Sequence, residues 1–147
     1  MSVQPLSPLL DDPSRTWSRA APTAPRDIEA LVEALSFDLP PAYLALLRLT
    51  DGAEGSLGIA PGWAQLWAST AVLELNEAYA LSEFLPGFFA IGSDGGGELF
   101  VFPTDSSEPS IFIVPAVGLS PALLQPLSPS MLQFLLQLGL SGADGGA

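Results

Sequence analysis

The stretch L-P-G-F-F-A-I-G-S-D-G-G-G-E-L-F-V-F-P, Leu85–Pro103, followed by S-I-F-I-V-P, Ser110–Pro115, decides the fold of this chain. It contains three short apolar runs, Phe88–Ile91, Leu99–Phe102 and Ile111–Val114, each of strand length and strand composition. Between the first two lies Gly92-Ser93-Asp94-Gly95-Gly96-Gly97. Consecutive glycines let a backbone reverse through positive φ without a Cβ clash. The expectation is an antiparallel pair, Phe88–Gly92 with Leu99–Phe102, turning across Ser93–Gly97, with Ile111–Val114 beside the second strand. Runs this continuously apolar imply a sheet covered on both faces.

Helical periodicity surrounds this centre. Ile28, Leu31, Val32 and Leu35 fall at i, i+3, i+4 and i+7 and predict a helix over Asp27–Leu35, with Thr23 as its cap. Phe37-Asp38-Leu39-Pro40-Pro41 ends it and opens a second helix, Pro41–Thr50, which Asp51-Gly52 stops. Trp63–Trp67 reads as a strand with both tryptophans on one face, more readily core than ligand platform. Ser69 or Thr70 caps a third helix, Thr70–Ser82, with Val72, Leu75 and Tyr79 inward. Leu123–Leu127 reads as an edge strand, because Pro126 cannot donate to a ladder. Ser128-Pro129 caps a last helix, Ser130–Leu138, apolar almost all round and therefore deeply buried or in an interface.

The domain expected is residues 25–140, preceded by an extended Pro/Ser-rich arm, 1–24, and followed by a flexible tail, 141–147. Trp17 is the exception in that arm and is expected to tuck into a groove of the same domain. The chain has 147 residues, 48% apolar and 14% charged, enough for one domain with a sizeable core. No apolar run is long enough to cross a bilayer, and the N-terminus lacks the basic and apolar regions of a signal peptide. A cytoplasmic location is the corresponding expectation.

Charge and missing residue types exclude much chemistry. Sixteen acids face four bases, for a net charge of −12, and there is no cysteine and no histidine. All four bases are arginines (Arg15, Arg19, Arg26, Arg48), so from Leu49 onward there are ten acids and no base. Such a field repels nucleic acid and anionic membranes and attracts a basic protein partner, although acids also serve simply to keep an apolar chain soluble. Lacking His, Cys and Lys, the chain has no ordinary acid–base switch near neutral pH, no Ser-His-Asp triad, no thiolate and no P-loop lysine. Asp94 and Glu98 flank the glycine turn without the regular acid alternation of a calcium loop, so a solvated turn is the better reading. Glu74, Glu77 and Glu83 read most simply as a solvated helix face. No metal or cofactor is expected.

The order of these pieces resembles a known family. F-D-L-P-P-A-Y-L-A-L-L-R-L-T-D-G, then L-W-A-S-T-A-V-L-E-L-N-E-A-Y, then the glycine-turn block and P-S-I-F-I-V-P-A-V-G are similar to the SUKH superfamily over about Pro25–Leu138. The strongest blocks are L-P-x-x-Y…D-G (Leu39, Pro40, Tyr43, Asp51, Gly52) and Ile91–Phe100. The resemblance implies an α+β domain with a central, mostly antiparallel sheet flanked by helices, and a binding role rather than catalysis. Bacterial members of this superfamily are commonly cytoplasmic immunity proteins that neutralise toxins, often nucleases. The function expected is therefore a non-catalytic protein-binding domain, an immunity protein against a basic toxin. A scaffold or regulator without a toxin, or a carboxylate-based hydrolase, stands as the alternative. The acids expected to meet the partner are Glu74, Glu77, Glu83, Asp94, Glu98, Asp105 and Glu108.

Overall fold

A computed structural model describes residues 4–141. The three apolar runs are three adjacent strands: β4 (Phe88–Ser93), β5 (Glu98–Pro103) and β6 (Ile111–Pro115). Phe89 pairs with Phe102, Ser93 with Leu99, and Leu99 with Val114, all antiparallel. A bulge at Ile91 shifts the β4–β5 register between Ala90 and Gly92. Gly95 and Gly97 take φ of 78° and 107° in the turn, as its glycine content requires.

The sheet extends to seven strands. β1 (Trp17–Arg19), β2 (Ala53–Ser56) and β3 (Trp63–Leu66) lie on one side, and β7 (Gln125–Ser128) is the opposite edge. Spatial order equals chain order, every neighbouring pair is antiparallel, and the fold is α+β. Helices α2 (Pro25–Ala34) and α3 (Pro41–Leu49) separate β1 from β2, α4 (Ser69–Ala78) and α5 (Leu81–Phe84) separate β3 from β4, and α6 (Met131–Leu135) follows β7.

Two apolar layers cover the central strands. On one face Phe89, Phe100, Phe102 and Ile111 pack with Tyr43, Leu46 and Leu47 of α3 and Phe134 of α6. On the other, Ala90, Leu99, Val101 and Val114 pack under Leu81, Leu85 and Leu119. Alternate residues of each strand thus enter different layers, which is why the runs are apolar throughout.

Several expectations need correction. Much of the segment expected as an extended arm is folded onto the domain. Residues Pro8–Asp11 form a one-turn helix, α1, and Leu6 and Leu9 are buried in the main core. Arg15 ties the segment down by donating from Nη1 to the carbonyls of Leu136 and Leu138, each at 2.7 Å. Trp17 packs against the core and donates its indole N–H to the Leu9 carbonyl at 3.2 Å, in line with the groove expected for it. Elements of three or four residues are too short to show periodicity, so only their contacts reveal them. The tail expected from residue 141 lies, from 142 on, outside the described residues.

The third helix is two helices. Ala80, at φ 57°, is the only non-glycine residue with positive φ among the described residues, and it breaks α4 from α5. Inward positions of α4 are Val72, Leu73 and Asn76 rather than Val72, Leu75 and Tyr79; Tyr79 faces outward. The last helix stops at Leu135, and its cap is Ser130, whose hydroxyl accepts the Gln133 N–H at 3.1 Å.

Caps also come from a distance. Thr23 does not cap α2; its hydroxyl donates to Asp51 Oδ1 at 3.1 Å. The same oxygen accepts the Ser69 N–H at 2.7 Å, capping α4 in place of Ser69 or Thr70 side chains. One carboxylate thereby joins the entrance of α2, the exit of α3 and the start of α4. Nearby, Tyr43 is buried with its hydroxyl unpartnered. Burial, with a smaller effect from the Asp51 carboxylate, pushes its pKa well above the ordinary phenol value.

Candidate partner-binding face

Following one row across the sheet locates the open surface. Ser18, Glu54, Gln65, Ser93, Leu99 and Val114 are successive cross-strand partners from β1 to β6 and so share a face. The row is polar from β1 to β4 and apolar on β5 and β6. The apolar end lies under α5 and Leu119. At the polar end Gln65 donates to Glu54 Oε2 at 3.0 Å, and the Ser93 hydroxyl stands 3.5 Å from Gln65 Oε1. Trp63 lies on the same face, two residues before Gln65, and is 41% exposed. The core position expected for it is therefore wrong; Trp67 is half-buried.

The β4–β5 turn borders this face. Asp94 Oδ1 accepts the backbone N–H of Gly96 at 2.7 Å and of Glu98 at 3.0 Å. That carboxylate closes the turn, an Asx-type role that explains an Asp before the glycines. Next to the turn runs the loop after β6: Glu98 pairs with Pro115, and the Ala116 N–H donates to the Gly97 carbonyl at 2.9 Å.

Beside that loop lies an apolar groove lined by Tyr79, Phe84, Ala116, Gly118 and Leu119, about 270 Å³ in volume. Tyr79 stacks on Trp67 with ring centroids 6.1 Å apart and planes 11° from parallel. The α4–α5 break shapes the groove. A left-handed alanine costs about 1–2 kcal/mol, and the turn it makes sends Leu81 and Leu85 into the core while Phe84 stays 48% exposed. Val117, at the loop tip, is 89% exposed.

The seven acids fall into three places. Glu74 and Glu77 are exposed on α4, and Glu83 is exposed on α5. Glu77 lines a separate cleft of about 400 Å³ with Phe37, Asn76, Phe88 and Thr104, among others. Asp94 and Glu98 are half-buried at the start of β5, whereas Asp105 and Glu108 are exposed beyond its other end. A six-residue strand separates these two pairs, roughly 17 Å of extended chain. The fold thus does not gather all seven into one cluster. Among the described residues no group of three or more His, Cys, Asp or Glu could hold a metal ion. The displaced titrations lie elsewhere: Tyr43 in the core, and Asp12, held below the usual carboxylate range by hydrogen bonds from the Ser14 side chain and backbone and by Arg15.

Sequence reading missed the exposed apolar groups Tyr79, Phe84 and Val117, and the polar row through Glu54, Gln65 and Ser93. Alternation in A-E-G-S (53–56) and W-A-Q-L (63–66) was the signal for the row. Asn76 was missed as well. It donates to the carbonyls of Val72 and Ala90 and accepts the Ala90 N–H, all at 2.8–2.9 Å, fastening α4 to β4.

An antiparallel meander with helices on both faces is an α+β domain. A family model covering residues 22–137 matches the chain, which belongs to the SMI1 / KNR4 family (SUKH-1). No curated protein matches the chain. The family is generally non-catalytic and is associated with toxin partners. Among the described residues no helix is long and apolar enough to cross a membrane.

Proposed function

We propose that this chain is a non-catalytic, cytoplasmic immunity protein that binds and blocks a basic toxin, such as a nuclease. One observation carries the reading: within a family associated with toxin partners, this chain from Leu49 onward has ten acids and no base. A nuclease cleft is basic because it must hold phosphates. An acidic surface occupies such a cleft and excludes substrate without chemistry. Glu74, Glu77 and Glu83 on the helices, Asp94 and Glu98 at one end of β5 and Asp105 and Glu108 at the other supply that field from three sides.

The test is coexpression with any toxin domain encoded beside the gene, followed by binding kinetics at low and high salt. Survival of toxin-expressing cells supports the immunity role, and a neighbouring toxin that kills regardless refutes it. Charge steering predicts association slowed about tenfold or more at high salt, with dissociation changed much less. Glu74→Lys with Glu77→Lys slows association without unfolding the domain. An acidic partner, or an association rate indifferent to salt, refutes the charge mechanism.

A further inference from the structure

We propose that the groove between the α4–α5 break and the loop after β6 is the docking surface, and that it takes an apolar anchor flanked by Lys or Arg from a basic protein partner. The inference rests on the reading of a basic partner and adds where and how that partner is held. Tyr79, Phe84 and Val117 are three of the seven large hydrophobic residues exposed among the described residues; Tyr79 and Phe84 line this groove, and Val117 stands in the chain between its lining residues Ala116 and Gly118. Tyr79 in one wall is backed by its stack on Trp67. Exposed aromatic and aliphatic groups around a concavity, with charge at the border, have the anatomy of an interface centre.

Charge selects the occupant. Glu83 is the neighbour of Phe84 on α5, and Glu98 pairs with Pro115 just before the Ala116–Leu119 wall. Asp94 closes the adjoining turn. No base occurs on any of these elements, since all four arginines precede Leu49. A second copy of the chain seated on this groove would bring Glu83 and Glu98 against their like, which disfavours self-association. An acidic partner is repelled for the same reason. A basic segment satisfies both the apolar centre and the acidic border.

The probe is a random-peptide library displayed on phage and selected against the folded chain, with binders then measured as free peptides. The expected consensus is an aromatic, Leu or Met residue flanked by Lys or Arg. Val117→Asp and Phe84→Asp should each weaken these peptides about tenfold or more. Both variants add a negative charge, so a loss reports apolar contact rather than weaker attraction. Val117 is exposed enough that its variant folds even if Phe84→Asp does not. Glu83→Gln should weaken binding severalfold, and Val32→Asp, at an exposed apolar site on α2, should leave it unchanged.

Binders lacking Lys and Arg, binders indifferent to Val117→Asp, or no enrichment at all would overturn the proposal. So would a dimer, seen by sedimentation, that Val117→Asp dissolves. The selection needs no toxin, so its outcome separates from that of coexpression. Peptides on the groove with no protective effect sink the immunity role alone, whereas a toxin bound equally by the Val117→Asp chain sinks the groove alone.

Discussion

Replacing Asp51 with Ala removes the carboxylate that joins three helix ends. Its Oδ1 accepts the Ser69 N–H at 2.7 Å and the Thr23 hydroxyl at 3.1 Å. Thr23 is only 5% exposed and Ser69 only 4%, so water replaces the lost acceptor poorly. An unsatisfied buried donor costs about 1–3 kcal/mol, and loss of a carboxylate at a helix N-terminus adds about 0.3–1 kcal/mol. Asp51 itself is half-buried, which lets solvent recover part of this. The expected loss is therefore about 2–3 kcal/mol, a substantial part of the ~5–15 kcal/mol that holds a domain together. Urea unfolding at neutral pH, followed by tryptophan fluorescence, measures it. The midpoint should fall with an unchanged denaturant slope. Asp51→Asn keeps one acceptor oxygen and should lose about half as much. Glu74→Ala, exposed on the helix that Asp51 caps, should stay within about 0.5 kcal/mol of the parent. A loss below about 0.5 kcal/mol for Asp51→Ala would refute the capping account.

Tyr43 predicts alkaline instability. Its folded pKa is raised above the ordinary 10.0, so the stability tied to its protonated form is fully present below that value and falls as pH rises above it, by about 1.4 kcal/mol per pH unit. Tyr43→Phe, which removes a buried hydroxyl without a partner, should be near neutral at pH 7 and should flatten the alkaline limb of a stability-against-pH curve. Gly92 lies where β4 crosses β3, and a methyl group there would collide with the Gln65 carbonyl oxygen. Gly92→Ala should lower stability by about 1–3 kcal/mol in thermal unfolding and loosen the β3–β4 pairing in amide exchange.

The centre of the fold was legible because its signals are local. Phe88–Ile91, Leu99–Phe102 and Ile111–Val114 carry their strand character in their own composition, and the glycines between them carry the turn. The stripe Ile28–Leu35 marks α2 in the same way. What escaped reading depends on distant partners. Nothing around Leu6 or Leu9 distinguishes a buried segment from a proline-rich arm; both are buried in the main core, the stretch ending at Leu6 against α3 and α6. Ala is the best helix former, so a break at Ala80 contradicts local propensity and is imposed by the packing of Leu81 and Leu85. Thr23 has the chemistry of a cap, but its hydroxyl is drawn to Asp51, and the cap of α4 is decided by where Asp51 arrives. The acids were visible as a count, yet their grouping follows from strand β5, which holds Asp94 and Glu98 apart from Asp105 and Glu108.

The same separation explains why the motifs of this chain identify a fold more sharply than a partner. Leu39, Tyr43 and Gly52 of the L-P-x-x-Y…D-G block are buried, Asp51 is committed to Thr23 and Ser69, and Asp94 closes its own turn. These residues hold the scaffold and have little surface left for recognition. Phe84, Val117, Glu83 and Trp63 are exposed and none of them belongs to the buried core. Stability and recognition should then respond to different substitutions. Changes at Asp51 lower the unfolding midpoint while leaving affinity per folded molecule intact, and changes at Val117 do the reverse. A surface free of scaffold duty can change its side chains without touching the sheet beneath it, so recognition and stability are separable in this domain.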